Sequence, residues 1–188
     1  IIQKSSQQAL NNGITLKKIF EQITAIRKNT NVPLALMGYY NPILKMGHET
    51  FLNNCVSAGV DGLILPDLPL DEATPFCELA KAKGISPILL VAPNTSNNRI
   101  RKISELASDL IYAVSILGIT GNDLASKDAL AEYLNRVSKY SVTPFVVGFG
   151  IRTRDDVIWF NEHSDGAVVG SAILKNMDGK ADPVNATK

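Results

Sequence analysis

Two glycine-containing segments near the C-terminal end of the sequence have the residue types and the spacing of an anion-binding site. Gly-Phe-Gly-Ile at residues 148–151 and Val-Gly-Ser-Ala at residues 169–172 each follow a short apolar run and precede a segment that favours a helix. Glycine lacks a Cβ, so its backbone can approach a ligand closely, and the free N–H groups at a helix start attract an anion. Two such turns on consecutive strand–helix units are typical of the phosphate site after the last two strands of a (β/α)8 barrel. The pattern predicts an enzyme that acts on a small phosphorylated molecule.

Six short apolar runs alternate with segments of helical periodicity, and these elements must position the two turns. The runs cover residues 32–37, 62–65, 86–91, 110–114, 144–147 and 166–169. They are apolar at nearly every residue, which is typical of parallel strands with both faces covered. The segments between them carry apolar side chains at helical spacing, and Thr15 is a candidate N-cap for the helix before the first run. The alternation predicts an α/β protein with a parallel sheet.

Six strands are too few to close a (β/α)8 barrel, whose phosphate site lies after its last two strands. Counted back from the glycine turns, the last two runs of this sequence correspond to those strands. We therefore expect a TIM barrel with six of its eight strands in residues 1–174, followed by a tail in residues 175–188. Both ends look cut. The first two strands are expected before Ile1, residues 1–12 are expected to be the helix after the second of them, and residues 32–37 are expected to form an open sheet edge.

The composition fits one globular domain and narrows the range of partners. The sequence has 188 residues, a net charge of +1 and no dense cluster of arginine or lysine, so neither a nucleic acid nor a membrane is an expected partner. No apolar run reaches the roughly 20 residues that span a bilayer. Cys55 and Cys77 lack metal-ligand spacing, which favours buried free thiols in a reducing compartment. We expect a cytoplasmic protein, or one of the plastid stroma if the source is an alga or a plant.

The segments that follow the strands hold the residues expected to do the chemistry, because barrel active sites lie there. These segments are largely apolar and aromatic with few charges, which suits a flat apolar ligand with one anionic group. His48 and His163 are isolated, so we expect no metal. Gly-Ile-Thr-Gly at residues 118–121 opens a loop that runs to about residue 127. This loop is longer than the usual roughly 2–6 residues, and it is either a lid or a plain surface loop.

Several of these segments together resemble the tryptophan synthase alpha chain family. They are residues 36–42 (Leu-Met-Gly-Tyr-Tyr-Asn-Pro), 65–69 (Leu-Pro-Asp-Leu-Pro), 92–95 (Ala-Pro-Asn-Thr), 112–121 and the two glycine turns, in the family's order and with similar spacing. The resemblance covers residues 1–174. It implies indole-3-glycerol phosphate as substrate, cleaved by a retro-aldol step to indole and glyceraldehyde 3-phosphate. It also implies a tryptophan synthase beta chain as partner and no cofactor.

The resemblance assigns roles to individual residues. Family phosphate-binding positions match Gly121, Gly150, Gly170 and Ser171. Positions that pack on the indole ring match Met37, Ile64 and Phe149. Tyr112 matches a tyrosine beside the catalytic acid, and Thr120 matches a threonine of a mobile loop. Asn41 and Pro42 match the contact with the beta chain, where Tyr39 and Tyr40 either join the interface or pack at the rim.

The sequence departs from the family at its acid–base pair. The family uses a glutamate on the second strand and an aspartate on the loop after it, and both positions fall before Ile1. General acid–base catalysis needs a group within hydrogen-bond reach of the reacting atom, so we expect residues 1–188 to be inactive alone. Asp67 is the one carboxylate at a strand end, where it either supports the site or caps the next helix. After Leu174 the family continues with a long final helix that this sequence does not match.

Two other functions stay open at the level of sequence. Ribulose-phosphate epimerases and phosphoribosyl isomerases share the glycine turns, but they bring metal-binding histidines or strand-end carboxylates that this sequence lacks. The second alternative is a non-catalytic subunit that activates a beta chain. It requires that the sequence upstream of Ile1 lack the glutamate and the aspartate.

Overall fold

The sheet contains six parallel strands that follow one another in chain order. The computed structural model describes residues 2–107, 109–115 and 127–178. Its strands are β1 (Ala35–Met37), β2 (Gly62–Ile64), β3 (Ser86–Val91), β4 (Ile111–Val114), β5 (Phe145–Gly148) and β6 (Gly166–Val168). Each strand pairs in parallel with the next one. The predicted strands and their parallel arrangement are confirmed.

β1 begins at Ala35, later than the predicted residue 32, because the chain before it is engaged elsewhere. Pro33 has no N–H to donate to a ladder. The Leu34 N–H donates to the Asp61 carboxylate at 2.7 Å, and the same carboxylate forms an ion pair with Arg27. These contacts hold the preceding helix against the amino end of the sheet and delay the start of the strand.

Helices connect successive strands throughout the described residues. They are α1 (Ile2–Asn11), α2 (Leu16–Arg27), α3 (Tyr40–Met46), α4 (His48–Ala58), α5 (Leu70–Ala82), α6 (Asn97–Ala107), α7 (Lys127–Tyr140), α8 (Arg154–His163) and α9 (Ser171–Met177). Thr15 caps α2 as predicted, since its Oγ1 accepts a hydrogen bond from the Lys18 N–H at 3.2 Å. α3 is not among the helices expected from the sequence. α9 runs to Met177, and residues 179–188 lie outside the described ranges.

The core consists of two apolar clusters, one on each half of the sheet. Phe51, Leu52 and Phe76 belong to the cluster beside β1 and β2, and the second cluster packs around β3, β4 and β5. Cys55 and Cys77 are free and buried in these clusters, as predicted. Burial raises the pKa of the Cys55 thiol to about 12 and that of the Cys77 thiol to about 11, so both remain protonated at neutral pH.

β1 and β6 are the two edges of the described sheet. β1 pairs with β2 alone among the described residues. Met37, the last residue of β1, is 53% exposed, and Val32, just before the strand, is 63% exposed. The predicted open edge is confirmed for this part of the chain. No helix within the described ranges combines the length and the apolar character required to cross a membrane.

Candidate phosphate and aromatic site

The first glycine turn leaves the carboxyl end of β5 in a left-handed conformation. Gly150 has a φ of 82°, and Phe149 before it has a φ of 73°. A left-handed conformation is accessible to glycine but costs roughly 1–2 kcal/mol for a residue with a Cβ. The glycines of the sequence predict the turn, but nothing in the sequence pattern predicts the left-handed Phe149. A non-glycine residue in this conformation must be held by its surroundings.

The ring of Tyr112 packs on this turn from the neighbouring strand β4. Its edge meets the Phe149 ring at a centroid distance of 5.9 Å and an angle of 73°. A Cβ on Gly148 would lie 1.7 Å from the Tyr112 Oη, so only glycine fits beneath this ring. Burial raises the pKa of the Tyr112 hydroxyl, which therefore stays neutral in the site. The structure thus places Tyr112 directly against the proposed phosphate turn.

Ser115 holds the same turn through its backbone and its side chain. Its N–H donates to the Gly148 carbonyl at 3.1 Å, and its hydroxyl donates to that carbonyl at 2.9 Å. The hydroxyl also bonds to the Phe149 carbonyl. Ser115 is not among the site residues predicted from the sequence. The available signal is a serine that directly follows the apolar strand β4.

The second turn lies beside the first, because β5 and β6 are neighbouring parallel strands. Gly170 is exposed and is the N-cap of α9, and Ser171 is the first residue of that helix. A Cβ on Gly170 would meet no atom of the described residues within 4 Å. Among those residues, the turn therefore borders open space that an anion can enter. Thr120 and Gly121, which the sequence analysis adds to the site, lie outside the described residues.

Asp67 connects the segments that follow β1 and β2. Its carboxylate accepts a hydrogen bond from the Tyr40 N–H, at 2.9 Å to one oxygen and 3.1 Å to the other. It therefore caps α3, which precedes it in the chain. The alternative in which Asp67 caps the next helix is wrong, because the N-cap of α5 is Pro69 and no side chain caps that helix. Its contact instead fixes the first turn of α3.

The three candidate indole contacts are divided between two parts of the site. Met37 and Ile64 are directly opposite each other in the ladder between β1 and β2. Phe149 follows β5, with β3 and β4 between. Met37 also lines an apolar pocket of about 120 Å³ together with Tyr39 and Pro42. The structure therefore brings the first two residues together and places the third at the same end of the sheet.

The three candidate contacts with a partner lie on the surface at the start of α3. Tyr39 is 73% exposed, and Asn41 and Pro42 are exposed as well. Tyr40 differs from Tyr39, because it is buried and its hydroxyl lies 2.6 Å from the His48 Nε2. The sequence leaves open whether the two tyrosines join the partner interface or pack at the rim. The buried side chain of Tyr40 favours packing.

Comparison with known proteins identifies one family. A family model described as the tryptophan synthase alpha chain matches residues 1–187. The chain belongs to the tryptophan synthase alpha chain family. It is 48% identical over 182 residues to the tryptophan synthase alpha chain of Petrotoga mobilis, a match that covers 97% of this chain and 70% of that relative. It is 45% identical over 175 residues to that of Methanocaldococcus jannaschii, with 93% of this chain and 62% of the relative covered.

Solved structures of tryptophan synthase have the same fold. A mutant alpha-subunit from Pyrococcus furiosus superposes with a TM-score of 0.88 at 35% identity, covering 99% of this chain and 74% of that chain. A structure of the α2β2 complex from the same organism gives 0.89 at 35% identity, covering 99% and 75%. The predicted TIM-barrel fold with six of eight strands is confirmed. The family is one of lyase-type enzymes, which decides against an epimerase or an isomerase.

Proposed function

We propose that this chain binds indole-3-glycerol phosphate, with the phosphate at the two turns after β5 and β6. The observation that carries the proposal is the pair of neighbouring turns, one held left-handed at Phe149 and Gly150 and the other open at Gly170. Backbone N–H groups in such turns bind an anion without needing a cation. The aromatic and apolar side chains at the same end of the sheet would accept the indole ring.

The reaction proposed for this site is the retro-aldol cleavage of the substrate to indole and glyceraldehyde 3-phosphate. The bond between the indole ring and the adjacent glycerol carbon breaks, its electron pair stays with the ring, and the carbon becomes an aldehyde. The ring carbon must gain a proton, and the glycerol hydroxyl must lose one. This chemistry requires an acid and a base within hydrogen-bond reach.

We propose that the acid and the base are not among residues 1–188. Asp67, the carboxylate at a strand end, accepts the Tyr40 N–H and so serves the fold of α3. The neutral Tyr112 would pack against the substrate rather than act as a base. These residues would bind and orient the substrate, and cleavage by residues 1–188 alone would be absent. Turnover of indole-3-glycerol phosphate by this chain alone would contradict the proposal.

We also propose a tryptophan synthase beta chain as the partner. The alpha chain of Pyrococcus furiosus is known in an α2β2 complex. In the present chain, Tyr39, Asn41 and Pro42 present an exposed surface at the start of α3, and Asp67 fixes the turn that carries them. The face suits an interface, where exposed aromatic side chains are enriched.

Gly170→Val tests the phosphate site without disturbing the fold. The valine side chain would fill the open space at the turn and exclude the phosphate, whereas its Cβ would meet no atom of the residues that the structure describes within 4 Å. We expect the affinity for glycerol 3-phosphate, measured by calorimetry, to fall at least about tenfold, the equivalent of 1.4 kcal/mol. The melting temperature should remain close to that of the wild-type chain.

Gly38→Val is the matched control. A Cβ on Gly38 also meets no atom within 4 Å in the described part of the chain, but this glycine follows β1, far along the sheet from the two turns. Its affinity for glycerol 3-phosphate should equal that of the wild-type chain. The proposal fails if Gly170→Val binds as tightly as the wild-type chain, or if both variants lose affinity equally.

A further inference from the structure

Two serines are the buried polar residues in the described part of the chain, and they have different surroundings. The Ser104 hydroxyl donates to the Arg101 carbonyl at 2.9 Å and accepts from the Val142 N–H at 3.0 Å, which joins α6 to the segment before β5. Ser115 is 2% exposed and lies at the other end of the sheet, directly after β4. Its hydroxyl bonds to the carbonyls of Gly148 and Phe149.

The Ser115 hydroxyl contacts the backbone at Phe149, where the conformation becomes left-handed. It has one proton, so the two carbonyls share it in a three-centre hydrogen bond. The ladder between β4 and β5 already engages the Gly148 carbonyl through the Ser115 N–H at 3.1 Å. The Ser115 hydroxyl also bonds to the carbonyl of the next residue, Phe149, whose φ is 73°.

Because peptide units are planar, this contact also fixes the directions of the Phe149 and Gly150 N–H groups. The carbonyl of one residue and the N–H of the next belong to one rigid trans unit and point in opposite directions. When Ser115 holds the Gly148 carbonyl, it also sets the direction of the Phe149 N–H. When it holds the Phe149 carbonyl, it sets the direction of the Gly150 N–H.

We propose that Ser115 is a positioning residue for phosphate binding, acting through the peptide units of Phe149 and Gly150. Its hydroxyl holds the carbonyls on the sheet side, and the two N–H groups then point away from it, toward the anion. The inference rests on the proposed phosphate site and adds to it a residue that does not touch the ligand. A fixed donor geometry binds an anion better than a mobile one because less ordering is needed on binding.

The test compares Ser115→Ala with Ser104→Ala, the same substitution at the other buried serine. Both variants lose a buried hydroxyl and should lose similar amounts of stability in urea unfolding. Only Ser115→Ala should weaken the binding of glycerol 3-phosphate, by about tenfold, the loss expected for one buried hydrogen bond. Its Phe149 and Gly150 amide resonances should also shift without ligand, whereas Ser104→Ala should leave both signals in place.

Ser115→Thr separates the hydroxyl from the packing, because it keeps the donor and adds a methyl group. Its affinity should remain within about threefold of the wild-type value, less than the loss of one hydrogen bond. If Ser115→Ala does not fold, Ser115→Cys takes its place, since a thiol is a weak donor of similar shape; it should also lose affinity.

The outcomes distinguish this inference from the proposed function. A wild-type chain that does not bind glycerol 3-phosphate overturns the phosphate site itself, and this inference with it. A wild-type chain that binds, together with Ser115→Ala of equal affinity, overturns the role of Ser115 alone. Equal losses for Ser115→Ala and Ser104→Ala, or for Ser115→Ala and Ser115→Thr, also overturn it, because a structural role would then suffice.

Discussion

The ring of Tyr112 fills the space that a side chain on Gly148 would need. A Cβ on Gly148 would lie 1.7 Å from the Tyr112 Oη and 2.3 Å from Cζ, far inside van der Waals contact. Gly148→Ala therefore forces the buried tyrosine to move. We expect the free energy of unfolding to fall by about 1–3 kcal/mol, the usual cost of overpacking, in urea denaturation.

A double-mutant cycle tests whether the cost arises at this contact. Tyr112→Leu removes the phenol atoms nearest the new methyl group, so Gly148→Ala should cost less in that background than in the wild-type chain. Gly38→Ala is the control, since its Cβ meets no described atom within 4 Å. Equal costs of Gly148→Ala in the two backgrounds would show that the ring is not responsible.

α8, the helix that follows the first glycine turn, begins with a capping box. The Thr153 Oγ1 accepts from the Asp156 N–H at 3.1 Å, and the Asp156 carboxylate accepts from the N–H groups of Arg152 and Thr153 at 2.9 and 2.8 Å. These backbone hydrogen bonds to Arg152 and Thr153 lower the pKa of Asp156 below its ordinary value of 3.8. The helix start is therefore stabilised by the ionised carboxylate.

The lowered pKa gives a prediction for stability against pH. The contribution of Asp156 is complete above its ordinary pKa of 3.8 and is lost as the pH falls through the lower value of the folded state. Asp156→Asn should reduce stability by about 1 kcal/mol near pH 6, the usual value of a cap, and by less near pH 3. Urea unfolding at both pH values measures this. Asp155→Asn changes the charge of the same turn outside the capping box, and an equal pH dependence in that variant would contradict the prediction.

The sequence predicts the strands and helices that have a strong local pattern, but it does not predict those that depend on contacts with residues far along the chain. The apolar runs of β3 and β4 predict both strands because burial on two faces leaves a local signature. α3 has only seven residues, and its start is fixed by Asp67, 27 residues further along the chain. No local pattern records such a contact.

The residues of the candidate site also fall into those that the sequence predicts and those that it does not. The turns at Gly150 and Gly170 are predictable, because a glycine that directly follows an apolar run favours a turn. The left-handed Phe149 and the buried Ser115 are not, since each depends on the other across neighbouring strands. The resemblance to a family supplies roles for residues that contact a ligand. It does not identify the residues that hold the backbone in position.

On the scale of the whole molecule, the described sheet has two free edges, at β1 and β6. An unpaired strand presents N–H and C=O groups that another chain can pair with. The β1 edge is also apolar, since Met37 at the end of the strand and Val32 just before it are 53% and 63% exposed. Residues 1–188 should therefore self-associate, with an apparent mass that rises with protein concentration.

Charged residues at the β1 edge should suppress this association. The double variant Val32→Lys with Met37→Lys places two cations beside the free strand, where pairing with a second chain would desolvate them. Analytical ultracentrifugation should show a smaller average mass than for the wild-type chain at the same concentration. Val56→Lys with Ile158→Lys adds the same charge at two exposed apolar residues on α4 and α8, outside the strands. If this control pair lowers the average mass equally, the net charge and not the open edge governs association. A wild-type chain that is monomeric and melts cooperatively would contradict association through the edge.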